Sequence, residues 1–392
     1  MVNRILYSES NTDGTVGGSY YSLYYLSRGL DRKRFGALVI FYHDNPLVPV
    51  YMESGIDTRV WNLPQPFKLP EKAPKLLRPL KSVINLNRFL LSRALMYARF
   101  LWQEKVSLVH LNNSVTRNHA WMLAARLYGV PCITHQRGIN SHYSKLDRRI
   151  GGKLDAVICI SEAVKRNLVE NGFDPEHLYV IYNGLDPEQV QVREARETVC
   201  RKLGISEERP VIGVLGNIKE WKGQEVAIRA VMRLREQHPD LICLLVGDTA
   251  EGDQYYALRL KSMIQANGME NSIYFTGYQS NVADWLNLMT LVVHTSIQPE
   301  PFGRIFLEAM AMRKPVIGSD AGAVPEIVKH GVTGLLYPPG DDQGLANAVN
   351  QLLKDPDTRH AMGSAGYKRL CQRFHIMNNI ENTQKLYLDM LT

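Results

Sequence analysis

The 392-residue chain has only five cysteines, Cys132, Cys159, Cys200, Cys243 and Cys371, an odd number with no C-x-x-C pair. That shortage excludes a disulfide framework and a thiolate zinc site. It suits a reducing compartment in which each thiol is a small buried hydrophobe. An uninterrupted apolar run of about 18 residues, the length a membrane-spanning helix needs, is also missing. The nearest candidate, 89–102, is broken by Arg93 and Arg99. The opening MVNRILYSES reads as a strand and lacks the parts of a secretion leader, so a cytoplasmic protein is expected. No His/Asp cluster at ligand spacing occurs, so neither a metal nor a cofactor is expected. No helix-turn-helix, RNP-like or zinc motif appears, which argues against a nucleic-acid partner.

Hydrophobic residues make up 45% and charged residues 22% of the chain, an ordinary globular balance, and the length favours two domains. The net charge of +7 is unevenly spread. Residues 1–190 hold 24 Lys/Arg against 16 Asp/Glu, whereas the remainder holds 22 against 23. Within 67–100, Lys68, Lys72, Lys75, Arg78, Lys81, Arg88, Arg93 and Arg99 face only Glu71. This concentration points to an anionic partner, with an anionic membrane surface favoured and a solvated helix face as the plainer reading.

Short apolar runs alternate with Gly turns and helical stretches. They begin at Arg4–Ser8, Ala37–Tyr42, Val106–Asn112, Cys132–His135, Ala156–Ile160 and Tyr179–Tyr182. The series restarts at Val211–Gly216, Leu241–Gly247, Ile273–Thr276, Leu291–Thr295 and Pro315–Gly318. Near-continuous apolar strands belong to parallel sheets covered on both faces, so the expected class is α/β with two doubly wound, Rossmann-like domains facing a cleft. The boundary is expected between 185 and 205. It separates a first domain, 1–190, from a second, 200–370, with 371–392 a terminal helix able to pack back on the first. In such sheets ligands bind at the carboxyl ends of the strands.

The densest pattern is Gln298-Pro299-Glu300-Pro301-Phe302-Gly303-Arg304-Ile305-Phe306-Leu307-Glu308, a strand end, a Pro/Gly turn and a helix start. Free N–H groups at the helix start can hold an anion or a sugar oxygen. Gly303 allows close approach of the backbone, and two carboxylates can hold vicinal hydroxyls. The run Lys314–Val328 follows as a buried strand, a Gly turn and a helix opening at Pro325. Segment 290–345 resembles the signature region of family 4 glycosyltransferases, which have the GT-B architecture. The resemblance implies that Glu300 contacts the donor sugar and Glu308 the donor ribose, with Phe302, Gly303, Arg304 and Ile305 completing that wall.

The resemblance extends upstream. Val214-Leu215-Gly216-Asn217-Ile218-Lys219-Glu220-Trp221-Lys222-Gly223 is similar to the family strand and loop that hold the diphosphate, with Lys222 as the cation. Asn217 stands where many relatives have arginine, so Lys219 or Arg304 is left to supply a second charge. Phe275-Thr276-Gly277-Tyr278 resembles the loop near the base, where Tyr278 either stacks or packs at a core edge. Gly14-Thr15-Val16-Gly17-Gly18-Ser19 matches the Gly-Gly loop near donor and acceptor, and a plain tight turn is the alternative. His135, ending its strand, resembles the family histidine near the anomeric carbon. His110 and His119 have no such support.

What the family implies is a retaining, metal-independent hexosyl- or N-acetylhexosaminyl-transfer from a UDP- or GDP-sugar. The acceptor would be a saccharide or lipid-linked, in cell-surface polysaccharide or glycolipid assembly. His135 and Glu300 would be catalytic, and the enzyme could sit peripherally on the inner face of the membrane. A sugar-nucleotide epimerase on the same kind of fold and a non-catalytic anion-binding protein remain the alternatives.

Overall fold

The computed structural model describes residues 2–10, 17–63 and 86–392. They form two compact units, one of Met1–Tyr182 with Met377–Thr392 and one of Asn183–Ile376.

Unit 1 is built on a seven-stranded sheet. Its strands are β1 (Asn3–Glu9), β2 (Phe35–Phe41), β3 (Asp57–Val60), β4 (Leu108–Leu111), β5 (Cys132–Gln136), β6 (Ala156–Cys159) and β7 (Leu178–Val180). They lie in the order β3-β2-β1-β4-β5-β6-β7. Unit 2 has β8 (Val211–Leu215), β9 (Ile242–Val246), β10 (Ile273–Gly277), β11 (Leu291–His294), β12 (Val316–Ser319) and β13 (Gly334–Tyr337). Their order, β10-β9-β8-β11-β12-β13, is that of a dinucleotide-binding sheet. Every ladder between these strands is parallel. Strands such as LVVH of β11 and ICLLV of β9 are buried along their whole length, as a sheet covered by helices on both faces requires.

The order reverses between β1 and β4 in the first sheet and between β8 and β11 in the second. At such a switch point the loops leaving neighbouring strands run to opposite sides and open a crevice at the carboxyl ends. In unit 1 that position belongs to Glu9, Ser10, Asn112 and Asn113. In unit 2 it belongs to Gly216, Asn217 and Thr295–Ile297.

The chain returns to unit 1 through its final helix, Ile376–Leu391, whose Ile380, Thr383 and Tyr387 recur at helical spacing and are buried. Gln384 accepts from the Asp31 N–H at 2.7 Å, and Asn379 donates to the Tyr182 carbonyl at 2.8 Å. The strand β3, which the apolar pattern did not reveal, is four residues long and lies at the sheet edge. Its Asp57 and Arg59 belong to an ion-pair cluster with Arg4 and Glu104. No helix among the described residues is long and apolar enough to cross a membrane.

Candidate active site

In unit 2 the loop after β8 carries the short turn Glu220–Lys222. It is stitched to the end of β11: Ile297 N–H donates to the Trp221 carbonyl at 2.9 Å, and Thr295 Oγ1 to the Lys222 carbonyl at 2.8 Å. Gly223 makes this approach possible. Its φ is +65°, and a Cβ there would lie 2.2 Å from the Thr295 carbonyl oxygen. The stitching delivers Lys222 Nζ to Glu300 Oε2 at 2.5 Å. The same carboxylate oxygen accepts from Ser296 Oγ at 3.2 Å and lies 3.1 Å from His294 Nε2. Ser319 Oγ holds the other ring nitrogen of His294 at 3.2 Å.

Glu300 is only 7% exposed. Burial pushes its carboxyl pKa up, but the His294 hydrogen bond and the Lys222 charge outweigh burial and hold it at about 2. Burial dominates at His294 and keeps its imidazole below the ordinary range. The Glu300 backbone is fixed as well, because its carbonyl accepts from Ala323 N–H at 2.8 Å. A solvated loop glutamate is therefore not what the fold builds at this position.

Beyond the turn, the helix Arg304–Ala311 starts at Gly303. Gly303 has φ +86°, and a Cβ there would meet the Phe306 ring at 2.7 Å. Arg304 Nε donates to Glu308 Oε1 at 3.1 Å, one helical turn on. Burial raises the Glu308 carboxyl pKa, and Arg304 partly offsets it.

A cavity of about 210 Å³ opens at the ends of β8 and β9, lined in part by Asn217, Tyr278, Ile305 and Glu308. Tyr278 is 71% exposed, so it is a ring presented to solvent at the cavity edge and not a core-edge tyrosine. Phe302 is different: its side chain is buried against Phe374, 6.2 Å between centroids, and contributes packing. Lys219, named as a possible second phosphate cation, lies 3.7 Å from Asp253.

In unit 1, β5 brings His135 to the carboxyl end of the sheet, almost fully buried. Gly17 caps and Gly18 opens the helix Gly18–Arg28, while residues 14–16 of the Gly loop lie outside the described residues. Around the switch point runs a polar cluster that the sequence patterns did not single out. Glu9, fully buried, accepts from Asn112 Nδ2 at 2.5 Å and from Asn113 Nδ2 at 2.7 Å. Asn112 Nδ2 also reaches the Ser19 carbonyl at 3.1 Å, and Arg137 Nε donates to the Asn112 carbonyl at 2.8 Å. His110, which the sequence left without a role, holds His135 Nδ1 through its Nε2 at 2.7 Å. Polar residues clustered where apolar strands end, as in Glu9-Ser10 and Asn112-Asn113, were the available signal.

Two family models match the chain: Glycosyltransferase Family 4 over residues 16–189 and Glycosyl transferases group 1 over residues 195–369. The alpha-maltose-1-phosphate synthase of Mycolicibacterium smegmatis is 28% identical over 304 residues, covering 70% of this chain and 78% of its own. The lipopolysaccharide core biosynthesis mannosyltransferase LpcC of Rhizobium leguminosarum is 28% identical over 239 residues, 61% of this chain and 66% of its own. Among solved structures, Anabaena Alr3699/HepE in complex with UDP superposes with a TM-score of 0.81 at 26% identity, covering 99% of this chain and all of that one. The same protein in complex with UDP-glucose gives 0.80 at 26% identity, covering 98% and 99%. Two parallel α/β units, the loops at their switch points and models that together span nearly the whole sequence converge: the chain is a glycosyltransferase and belongs to family 4, with the GT-B fold.

Proposed function

We propose that the enzyme transfers a sugar, with retention of anomeric configuration, from a uridine diphosphate sugar to a saccharide or lipid-linked acceptor. The observation that carries this reading is the pairing in unit 2 of the Glu308 cavity with the buried Lys222–Glu300 ion pair at the switch point. Binding of UDP and UDP-glucose by Anabaena Alr3699/HepE supports uridine as the first base to test.

In this reading Tyr278 stacks on the base and Glu308 accepts hydrogen bonds from the ribose hydroxyls. Ile305 and Asn217 line the wall between them. The diphosphate meets the start of helix Arg304–Ala311, where the helix dipole favours negative charge. Lys222 swings from Glu300 to the diphosphate. Glu300 keeps its His294 and Ser296 partners and holds the sugar hydroxyls. Arg304 is the second cation. His135, neutral because it is buried, donates a hydrogen bond to a sugar oxygen, and Gly17 and Gly18 leave room for donor and acceptor.

As the bond between C1 and the diphosphate oxygen breaks, the negative charge that develops is met by Lys222, Arg304 and the helix dipole. The acceptor hydroxyl attacks C1 from the face the diphosphate leaves, and its proton passes to the departing phosphate oxygen. The protein's own cations carry this neutralisation in a metal-independent reaction, so transfer is expected to survive EDTA.

A transfer assay with UDP-glucose and related donors, read by NMR of the product anomer, tests the proposal. Retention without added metal supports it. Inversion, or donor turnover without any acceptor as in an epimerase, refutes it.

We also place the enzyme at an anionic membrane surface on the cytoplasmic side, where a lipid-linked acceptor would lie. The kinship with LpcC supports such an acceptor. Most of the basic stretch, 67–85, lies outside the described residues. The helix that ends it, Ser92–Gln103, exposes Leu95, Met96 and Trp102 (68% exposed) beside Arg99. An apolar stripe with an adjoining cation is the pattern of a helix lying in a lipid interface. Co-sedimentation with anionic but not neutral vesicles, reduced in Trp102→Glu, is the expected result. Binding indifferent to lipid charge would remove the idea.

A further inference from the structure

The buried face of the unit 1 sheet carries a continuous line of hydrogen-bonding groups that ends at His135. Tyr7 on β1 pairs in register with His110 on β4, and His110 stands beside His135 on β5, ring over ring at 4.7 Å and 14°. The final helix lays Tyr387 across this line. Tyr7 Oη and Tyr387 Oη are 2.9 Å apart, Tyr387 Oη and His110 Nδ1 2.5 Å, and His110 Nε2 and His135 Nδ1 2.7 Å. All four side chains are at most 1% exposed.

We propose that this chain fixes the tautomer of His135, so that Nε2 carries the hydrogen and faces the substrate as a donor. His110 and Tyr387 are then positioning residues for the transfer reaction. The inference rests on the reading of His135 given above, and it follows from counting hydrogens. Burial, with the Arg137 charge nearby, keeps both imidazoles neutral, His110 at about 3 and His135 well below its ordinary value. Each ring therefore has one N–H, and each of the three bonds needs one hydrogen.

Three arrangements make all three bonds. In the first, Tyr7 donates to Tyr387, Tyr387 to His110 Nδ1, and His110 Nε2–H to His135 Nδ1. The remaining hydrogen then sits on His135 Nε2, which has no hydrogen-bond partner among the described residues and yet is not one of their fully buried unpaired atoms, so it is open to substrate or solvent. In the reverse direction His135 Nδ1–H donates to His110, His110 to Tyr387, and Tyr387 to Tyr7. The Tyr7 hydroxyl hydrogen is then buried with no acceptor, since Tyr387 is its one partner among the described residues. In the third, His135 donates to His110 while Tyr7 and His110 both donate to Tyr387, whose own hydrogen is then buried with no acceptor. A buried donor or acceptor left unmade is costly, and the first direction alone leaves no buried hydrogen of the line and no nitrogen of His110 unpaired, so it prevails. A phenol is also the better acid and imidazole nitrogen the better acceptor, which favours the same direction. Holding a ring nitrogen through the hydrogen bond on the opposite side of the ring is the general way proteins select a histidine tautomer.

The test is ¹⁵N NMR of the full-length protein with labelled histidine, His135 being assigned by the signal lost in His135→Gln. Wild type is expected to show His135 protonated at Nε2. Tyr387→Phe, which keeps the ring and removes the donor, is expected to bring in the Nδ1–H form and lower kcat on the order of 10- to 100-fold. The donor KM and the nucleotide-induced thermal shift should stay within about twofold. Tyr7→Phe should leave the His135 tautomer unchanged. A wild-type His135 protonated at Nδ1, or an unchanged tautomer in Tyr387→Phe, overturns the proposal. The wild-type spectrum decides even if the variant misfolds. A protein that shows the expected tautomers and no transfer would sink the functional reading of His135 while leaving the chain intact.

Discussion

In the proposed function Glu300 joins stability to catalysis, because Lys222, the cation that pairs with it, is the one assigned to the diphosphate. Its carboxyl is held at about 2 against an ordinary 4.5. The stabilisation is fully present above pH 4.5 and lost as pH falls toward 2, and it amounts to on the order of 3 kcal/mol. His110 acts with the opposite chemistry and the same direction. It stays neutral down to about 3, while the unfolded chain takes up a proton below 6.5. Stability therefore drains as pH falls from 6.5, and the melting temperature should be flat above neutrality and decline below it. His110→Gln is expected to flatten the decline between pH 6.5 and 4.5, and Glu300→Gln the steeper part below 4.5. Circular-dichroism melts across pH check both. For Lys222→Ala we expect a loss of about 1–3 kcal/mol from the carboxylate left behind and a fall in kcat of about 10²–10³. Adding Glu300→Gln should recover stability and leave activity low, which separates the two roles of the lysine.

The turn Glu220–Lys222 and the final helix show how far local pattern carried. The Lys-Gly sequence and the glutamates eight apart are local motifs, readable without a fold. His294, six residues before Glu300, was not singled out, because a histidine ending an apolar strand looks like any core residue until the turn folds back on it. His110 was invisible for a stronger reason: its partner Tyr387 is 277 residues away. Nor does a four-residue edge strand with alternating charges, β3, register as an apolar run. Two element-scale outcomes follow. Gly223→Ala should lower stability by about 1–3 kcal/mol, since the left-handed backbone and the Thr295 carbonyl both resist a Cβ. Deleting 377–392 removes the buried Ile380, Leu386 and Tyr387, each contributing about 1.5–3 kcal/mol, a sum comparable to the stability of a domain. Calorimetry should then lose the transition of unit 1 and keep that of unit 2. An unchanged thermogram would show that the helix is dispensable.

At the scale of the whole chain the fold was the most legible part. Near-continuous apolar strands separated by helix-length segments leave few options besides parallel sheets covered on both faces, and the restart near 210 signalled a second one. The strand order could not be read from the pattern, and it is the order that creates the switch points, at Glu9 and Asn112 in the first sheet and at Asn217 and Thr295 in the second. The central claim is that unit 2 holds a uridine nucleotide through Glu308, and the direct measurement is a thermal-shift titration of wild type and Glu308→Gln. UDP, GDP, ADP and their sugar conjugates would be compared without added metal. A saturating rise with UDP, equivalent to about 2.7 kcal/mol at a hundredfold excess over Kd and lost in the variant, is the predicted result. A flat response to every nucleotide, or a rise that survives Glu308→Gln, would contradict the account.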